Sequence, residues 1–217
     1  MKDPLYDQVA RIGKALASPK RLELLDLLAQ GEKTVEALAG ELSIDMKLAS
    51  AHLKVLGAAR LVASRRDGKY RWYRLSGPDV AALWVRLREV AESHLAELRV
   101  ALEAMAAAPA ALAEVDRVEL LEQARRGTVI VIDVRPAAEY RHAHLPFARS
   151  IPLAELEARL AELPTDKDIV AYCRGPFCVL AEAAVQLLTA RGYRARKLRD
   201  GVSEWHAAGR PLARVAA

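Results

Sequence analysis

The sequence predicts two domains, a mainly α-helical domain that carries one β-hairpin and an α/β domain with a parallel sheet. Before about residue 105, apolar residues recur at helical spacing; after it, short apolar runs alternate with helical patterns. The segment between them, Met105–Glu114, is rich in alanine and broken by Pro109, which is typical of a helix end and a short connector. We therefore predict a first domain at 1–107, a linker at 108–114 and a second domain at 115–217.

Composition and charge indicate a globular protein that contacts a polyanion at one place. Of the 217 residues, 53% are hydrophobic and 28% charged, and no apolar run approaches the roughly 18 residues of a membrane span. The net charge is only +5, yet Ser64–Arg74 alone holds five basic residues and one acidic residue. Two cysteines are too few for a secreted disulfide framework, and the charged start lacks the apolar stretch of a signal peptide. We expect a cytoplasmic protein with no membrane partner.

Four helices are predicted at the start of the first domain. Apolar residues every three to four positions form a stripe along Leu5–Ala17. Ser18 and Pro19 provide an N-cap and a first-turn proline for the next helix. Thr34 is placed to cap VEALAGEL, and Asp45 to cap MKLASAHLKVL. The last two helices are short and joined by a tight turn, which is typical of a helix-turn-helix.

A β-hairpin and a long helix complete the first domain. Asp67 and Gly68 form a strong two-residue hairpin signal, flanked by arginines and aromatic residues. Pro78 then opens a helix that we expect to run to about Ala107, with apolar residues and His94 along one face.

Residues 5–107 resemble the ArsR family of winged-helix repressors, most clearly in SPKRLELLDLLAQGE, ASAHLKVLGAARLV and DGKYRWYRL. The resemblance implies a winged helix-turn-helix fold, a homodimer paired through its terminal helices, and double-stranded operator DNA as partner. The helix Asp45–Leu56 would enter the major groove, and the hairpin would lie against the phosphates, which supply affinity but little sequence choice. His52 is the weakest candidate, because it can equally pack or cap. The candidate DNA contacts are Met46, Lys47, Ser50, His52, Lys54, Arg65, Arg66, Lys69 and Arg71.

Metal sensing, which is common in that family, has little support in this sequence. The helix TVEALAGEL contains no cysteine. In the terminal helix, His94 with Glu97 falls short of the four ligands that zinc normally takes, unless both chains of a dimer contribute. We therefore expect no metal and no cofactor, and we look for a sensing residue in the second domain.

Helices and strands alternate in the second domain. The predicted order is helix (VELLEQARRG), strand (129–134), an irregular stretch, helix (LAELEARLAEL), strand (168–172), helix (Leu180–Arg191), strand (YRARKL) and helix (VSEWHAAG). Strands that are apolar throughout indicate a parallel sheet covered on both faces. Ligands of such folds bind beyond the carboxyl ends of the strands, which is where Cys173 stands.

The only two cysteines of the chain, Cys173 and Cys178, lie in one loop between a strand and a helix. Such a loop can turn backbone N–H groups inward as an anion nest, to which the helix N-terminus adds partial positive charge. Gly175 permits a close backbone approach, Pro176 stiffens the loop, and Arg174 adds a full positive charge. These features favour thiolate, so we expect the pKa of Cys173 to lie below the free-thiol value of about 8.5.

Residues 115–212 resemble the rhodanese (sulfurtransferase) family in three places: IDVRPAAEYRHAHLPFARSIP (132–152), CRGPFC (173–178) and DGVSEWHAAGRPL (200–212). The resemblance implies a nucleophilic Cys173 that carries sulfane sulfur as a persulfide, with thiosulfate, a persulfide or a polysulfide as donor. The implied cradle for that sulfur is Arg174, Gly175, Pro176, Phe177 and Cys178. The residues implied to brace the site rather than to react are Asp133, Arg135, Glu139 and His144.

Cys178 has two interpretations. It is either a small buried residue near the helix start or a resolving thiol that attacks sulfur bound to Cys173 and forms a disulfide or polysulfide bridge.

Three functions are compatible with this pair of domains. The first is a DNA-binding transcriptional regulator, of the repressor class, that responds to reactive sulfur or redox state through Cys173. The second is an active thiosulfate or persulfide sulfurtransferase with an auxiliary DNA-binding domain, which would make the chain an enzyme. The third, a metal-sensing repressor with an inert rhodanese remnant, is disfavoured by the intact Cys173 loop. The sequence favours the first function, because the DNA-binding half has no sensing residues of its own.

Overall fold

The computed structural model describes residues 3–105, 112–113 and 117–215, and the chain divides into two compact units, Met1–Leu87 and Arg88–Ala217. Most of the predicted linker lies outside the described residues. Its residues 112–113 form a short strand in the sheet of the second unit, where a connector was expected.

The first unit contains the helices that the sequence predicts. Thr34 and Asp45 are the predicted N-caps, and their side chains accept hydrogen bonds from the amides of Ala37 (3.2 Å) and Leu48 (2.8 Å). Ser18 occupies an N-cap position, but its side chain makes no capping hydrogen bond. The helices are α1 (Asp3–Leu16), α2 (Pro19–Leu28), α3 (Val35–Glu41), α4 (Met46–Ala58) and the start of α5 (Pro78–His94).

A three-stranded antiparallel sheet accompanies these helices, in the order β1-β3-β2. The strands β2 (Val62–Asp67) and β3 (Tyr70–Leu75) form the predicted hairpin, and Gly68 adopts the left-handed conformation that its turn requires. The short strand β1 (Lys33–Thr34), which the sequence analysis did not predict, pairs with β3.

Helix α4 is fixed by its apolar face. Ala49, Leu53 and Leu56 recur at helical spacing and are buried in the core of the first unit, against leucines of α2 and α3. The opposite face of α4 is therefore exposed, which is the orientation that a DNA-recognition helix requires.

The predicted long helix to residue 107 is two helices. Helix α5 ends at His94, and α6 runs from Ala96 to Met105. No glycine or proline marks this break, so nothing in the local sequence signals it. Helix α5 begins in the first unit and ends in the second.

The second unit is built on a five-stranded sheet in which every pairing is parallel, in the order β4-β8-β7-β5-β6. This confirms the predicted parallel sheet. The strands are β4 (Leu112–Ala113), β5 (Val129–Asp133), β6 (Arg149–Ser150), β7 (Asp168–Tyr172) and β8 (Ala195–Leu198). The helices after α6 are α7 (Arg117–Arg126), α8 (Ala137–His142), α9 (Leu153–Leu156, continued as a 3-10 helix at Glu157–Glu162), α10 (Leu180–Ala190) and α11 (Val202–Ala207).

Both faces of this sheet are covered, which explains the uniformly apolar strands. Ile130 and Ile132 of β5 pack with residues of α10 on one face, and Val129 and Val131 pack with the fully buried Trp205 on the other. Helix α8 and strand β6 lie in the stretch that the sequence analysis treated as irregular. Among the described residues, no helix is long and apolar enough to cross a membrane.

Candidate functional site

Cys173 directly follows β7 at the carboxyl edge of the sheet, the position that the sequence predicts. Its side chain is buried, at 1% exposure. The loop after it curls back on itself: the amide of Cys178 donates a hydrogen bond to the carbonyl oxygen of Gly175 (3.1 Å). As a result, the Cys173 sulfur lies 3.5 Å from the carbonyl oxygen of Cys178.

Backbone amides surround both sulfurs. Two of them hydrogen-bond to Cys173 and two to Cys178, and each of these contacts favours thiolate. One amide of each pair belongs to the first two residues of α10, so the positive end of that helix faces the sulfurs. The four amides belong to Arg174, Gly175, Leu180 and Ala181. This arrangement suits a thiolate or another sulfur anion.

The lowered pKa that we predicted for Cys173 is wrong, because the lowered pKa belongs to Cys178. The Cys173 thiol donates a hydrogen bond to Cys178 and is more deeply buried, and both effects raise the pKa of Cys173 well above its usual value. The same hydrogen bond lowers the pKa of Cys178 to about 6. The hydrogen bond between the two sulfurs therefore favours the thiol form of Cys173 and the thiolate form of Cys178.

Arg174 anchors the loop to α8. Its guanidinium donates hydrogen bonds to both carboxylate oxygens of Glu139, at 3.0 and 2.5 Å, and Glu139 is itself buried. The positive charge expected beside the thiol is therefore largely neutralised by Glu139, although it still contributes to the lowered pKa of Cys178.

Asp133 and Arg135 form a fully buried ion pair beneath the site, with 2.6 Å between Nη2 and Oδ2. The Tyr172 hydroxyl donates to the same carboxylate (2.6 Å) and accepts from the amide of Leu145 (3.1 Å). Burial and the nearby Asp133 raise the pKa of Tyr172 well above its usual value, so it stays a neutral donor. This network ties together β5 and the end of β7, which carries Cys173.

His144 is held by local contacts. Its Nδ1 lies 2.8 Å from the carbonyl oxygen of Tyr140, and the two rings stack with their centroids 3.7 Å apart. Its backbone pairs with Ala213. These contacts hold the ring in place, and the bracing role of His144 stays a prediction.

Two residues of the segment after β8, which the sequence analysis did not assign to the site, shape the cradle. Gly201 lies against the loop: a Cβ atom here would stand 2.6 Å from the carbonyl oxygen of Cys173. Glu204 accepts a hydrogen bond from the amide of Gly201 (2.6 Å) and fills the space beside Gly175, where a Cβ atom would come within 2.8 Å of its carboxylate. In the sequence, the Asp-Gly pair at 200–201 is the feature that could have indicated a role for Gly201.

Two further cations of the second unit reach the same loop. Arg88, in the second half of α5, forms a buried ion pair with Glu204, and its guanidinium lies 5.3 Å from the centroid of the Phe177 ring. Lys197 of β8 is 7% exposed and donates a hydrogen bond to the carbonyl oxygen of Cys178 (3.4 Å). Nothing in the local sequence points to either residue.

The candidate DNA contacts on α4 share one exposed face. Lys47, Ser50 and Lys54 stand at helical spacing on the side opposite the core, and Met46 is half exposed beside them. His52 is partly buried, which agrees with its place as the weakest candidate.

The basic residues of the hairpin differ in whether their side chains already pair with other side chains. Arg65 forms ion pairs with Glu32 (2.9 Å) and Asp67 (3.0 Å), and their hydrogen bonds raise its pKa. Arg71 donates a hydrogen bond to the hydroxyl of Ser64 (3.1 Å). The two remaining basic candidates, Arg66 and Lys69, are exposed, and Lys69 lies near the Tyr70 ring.

No three His, Cys, Asp or Glu side chains come together as a metal-binding group within the part of the chain that the structure describes.

Comparison with known proteins assigns both parts of the chain. The family model described as "Bacterial regulatory protein, arsR family" matches residues 18–64, and "Rhodanese-like domain" matches residues 116–208. The chain is 47% identical over 211 residues to the HTH-type transcriptional regulator Rv0324 of Mycobacterium tuberculosis, covering 97% of this chain and 92% of that protein.

Two other relatives each match one part of the chain. A sulfurtransferase of Allochromatium vinosum is 33% identical over 85 residues, which are 39% of this chain and 78% of that protein. A homodimeric winged helix-turn-helix domain of Mycobacterium bovis, described as a possible ArsR-family regulator, is 49% identical and covers 44% of this chain and 89% of that chain, with a TM-score of 0.42. The full-length match decides the assignment: the chain belongs to the ArsR family of helix-turn-helix transcriptional regulators and carries a rhodanese-like domain at its C-terminal end.

Proposed function

We propose that this regulator binds operator DNA with an affinity that depends on sulfur carried by Cys173. The observation that carries the proposal is the buried Cys173 thiol, beside the half-buried Cys178 and among backbone amides, on the same chain as an exposed basic helix α4. The first unit offers no cysteine, so we assign the proposed sensing chemistry to the loop.

The arrangement of the thiols supports sulfur acceptance at Cys173. The Cys178 thiolate takes the proton of Cys173, and the resulting Cys173 thiolate attacks the sulfane sulfur of a donor. With thiosulfate, the S–S bond of the donor breaks, sulfite leaves with the electron pair, and Cys173 becomes a persulfide. The amides around the loop would then hold the persulfide anion.

DNA binding and self-association are proposed for the first unit and the terminal helices. The exposed face of α4 and the hairpin supply Lys47, Lys54 and Arg66 for operator DNA. Large apolar side chains are exposed on α1, where Leu5 is 71% exposed, and on α6, where Val100 is 63% exposed. Exposed apolar faces of this kind support a homodimer.

A second candidate function is a working sulfurtransferase in which DNA binding is auxiliary. The similarity to a protein named as a sulfurtransferase supports this candidate. It shares the persulfide step with the first and differs in requiring turnover to an acceptor thiol or cyanide.

The test compares operator affinity before and after sulfur loading. Operator DNA is selected from a random library with reduced protein, and binding is followed by fluorescence anisotropy with intact-mass analysis of the same samples. After treatment with polysulfide, we expect the wild-type affinity to change by about 5- to 150-fold, as for a coupling of about 1–3 kcal/mol. Cys173→Ser should bind operator as the reduced wild type does and show no response.

A sulfur adduct on Cys173 that leaves the operator affinity unchanged would overturn the regulatory proposal. If the same protein also converts thiosulfate and cyanide to thiocyanate over many turnovers, the second candidate takes its place.

A further inference from the structure

We propose that Cys178 is a second reactive thiol that resolves the Cys173 persulfide into a Cys173–Cys178 disulfide. This rests on the proposed function, because the reaction begins with sulfur on Cys173. It assigns to the loop a second chemical state, in which the regulator carries an internal bond and no extra sulfur.

The curled loop already brings the two residues together. The two thiols share a hydrogen bond, and the backbone of residue 178 passes 3.5 Å from the Cys173 sulfur. The turn that produces this approach is closed by the hydrogen bond from Cys178 to Gly175, whose positive φ of 139° suits glycine. The loop therefore needs little rearrangement to form the bond.

Fixed charge favours an anionic sulfur at residue 178. Lys197 places a buried ammonium against the carbonyl of Cys178, and the α10 N-terminus faces both sulfurs. The charge of Arg174 acts in the same direction, because it lowers the pKa of Cys178. These groups favour the attacking thiolate of Cys178 as the proton that it took from Cys173 passes to the outer sulfur of the persulfide.

The reaction balances without an external oxidant. The Cys178 thiolate attacks the persulfide sulfur that is bonded to the Cβ of Cys173; the new S–S bond forms between the two cysteines, and the bond to the outer sulfur breaks. The outer sulfur leaves with the electron pair and with the proton that Cys178 had taken from Cys173, as hydrosulfide. In this step the Cys178 sulfur is oxidised and the outer sulfur is reduced, while the Cys173 sulfur was already oxidised when it took up the sulfane sulfur.

The test is intact-mass analysis of the full chain with a hydrosulfide assay after one equivalent of polysulfide. Wild type should lose the mass of two hydrogen atoms, release one hydrosulfide per chain and yield a cross-linked 173–178 peptide on non-reducing digestion. Cys178→Ser should instead gain the mass of one sulfur atom and hold it. Cys178→Ala, which adds no polar group, repeats the comparison if the serine variant folds poorly.

The failures of the two proposals are distinguishable. If wild type and Cys178→Ser hold the same stable persulfide, the resolving role is wrong and the proposed function stands. If neither protein takes up sulfur from polysulfide or thiosulfate, the proposed function itself fails.

An independent observation leads to a second inference: the geometry points to Arg88 as a positioning residue for the Cys173 loop. Arg88 lies outside the segment 116–208 that matches the rhodanese family, yet it is only 3% exposed and pairs with Glu204, which is 6% exposed. The Glu204 carboxylate abuts Gly175, so Arg88 balances a negative charge directly beside the loop.

Without Arg88, the Glu204 carboxylate beside the loop would keep the hydrogen bond from the Gly201 amide and the charge of Arg117 but would lose its buried ion pair. A like charge disfavours a thiolate or persulfide, and a buried unpaired carboxylate disturbs the packing around it. The guanidinium also lies 5.3 Å from the Phe177 ring, so it contacts the loop on a second side.

The readout for Arg88 is the pH profile of loop alkylation by iodoacetamide. In Arg88→Met, we expect the alkylation midpoint to move upward in pH and sulfur uptake to slow by about tenfold, the effect of one pKa unit. Restoring neutrality with Arg88→Met/Glu204→Gln should return both values toward wild type. The matched control is Arg99→Met, an exposed arginine of α6.

An unchanged pH profile and uptake rate in folded Arg88→Met would overturn this inference. If the single variant does not fold, the neutral double variant decides: a wild-type profile there supports the charge-balancing role, and a profile shifted upward in pH contradicts it.

Discussion

Replacement of Arg135 by methionine is expected to cost about 3–5 kcal/mol of the free energy of unfolding of the second unit. Arg135 and Asp133 are fully buried, and removing the guanidinium leaves a carboxylate in the interior that keeps the hydrogen bonds from the Tyr172 hydroxyl and the amide of residue 135 but loses its ion pair. Arg135 also donates to the carbonyl oxygen of Ala143 (2.8 Å), which would lose that donor. The measurement is hydrogen exchange of the β5 and β7 amides in the full chain, with the β2–β3 hairpin as internal reference.

The matched control is Arg159→Met. Arg159 is bonded to Glu155 and Glu162 on the surface, where ion pairs contribute little, so its loss should scarcely change the same amides. The double variant Asp133→Asn/Arg135→Met should recover part of the stability, because no buried charge remains unpaired. If Arg135→Met exchanges like Arg159→Met, the buried pair does not support the site.

Local sequence patterns predict a helix or strand of this chain wherever that element buries side chains at a regular spacing. The five buried residues of Val129–Asp133 indicate a strand covered on both sides, and the capped helix Met46–Ala58 is legible from Asp45 and its apolar spacing. Elements too short to show a period were missed, as at Ala137–His142 and Arg149–Ser150.

The site was predictable in position and only partly in chemistry. Cys173 is found at the strand end because parallel strands place their carboxyl ends at a common edge. Which sulfur carries the charge depends on a hydrogen bond between the two thiols and on their unequal burial, and spacing alone does not give either. Arg88 and Lys197 approach the loop from elements distant in sequence, so only the folded chain reveals them.

Removal of three positive charges from the proposed DNA surface is expected to lower operator affinity about a thousandfold at low salt. Lys47 and Lys54 lie on the exposed face of α4, and Arg66 is exposed on the hairpin. Three charge-assisted contacts of about 1.5 kcal/mol each correspond to a loss of that size. The variant is Lys47→Ala/Lys54→Ala/Arg66→Ala, and the measurement is operator binding by anisotropy across a salt series.

The salt series identifies the mechanism of this loss. Each phosphate contact removed should reduce the slope of log affinity against log salt by about 1, and the loss should extend to unrelated DNA sequences for contacts to the backbone. Arg141→Ala, an exposed arginine of the second unit, is the control for net charge and should leave the slope unchanged.

Arg65 and Arg66 offer the sharpest comparison on this surface, because they are neighbours whose charges are engaged differently. Arg65 already pairs with Glu32 and Asp67, and DNA would have to compete with those carboxylates for it. We therefore expect Arg66→Ala to weaken binding more than Arg65→Ala. Equal losses would mean that the Arg65 ion pairs open on DNA, and no loss from the triple variant would mean that α4 and the hairpin do not form the DNA surface.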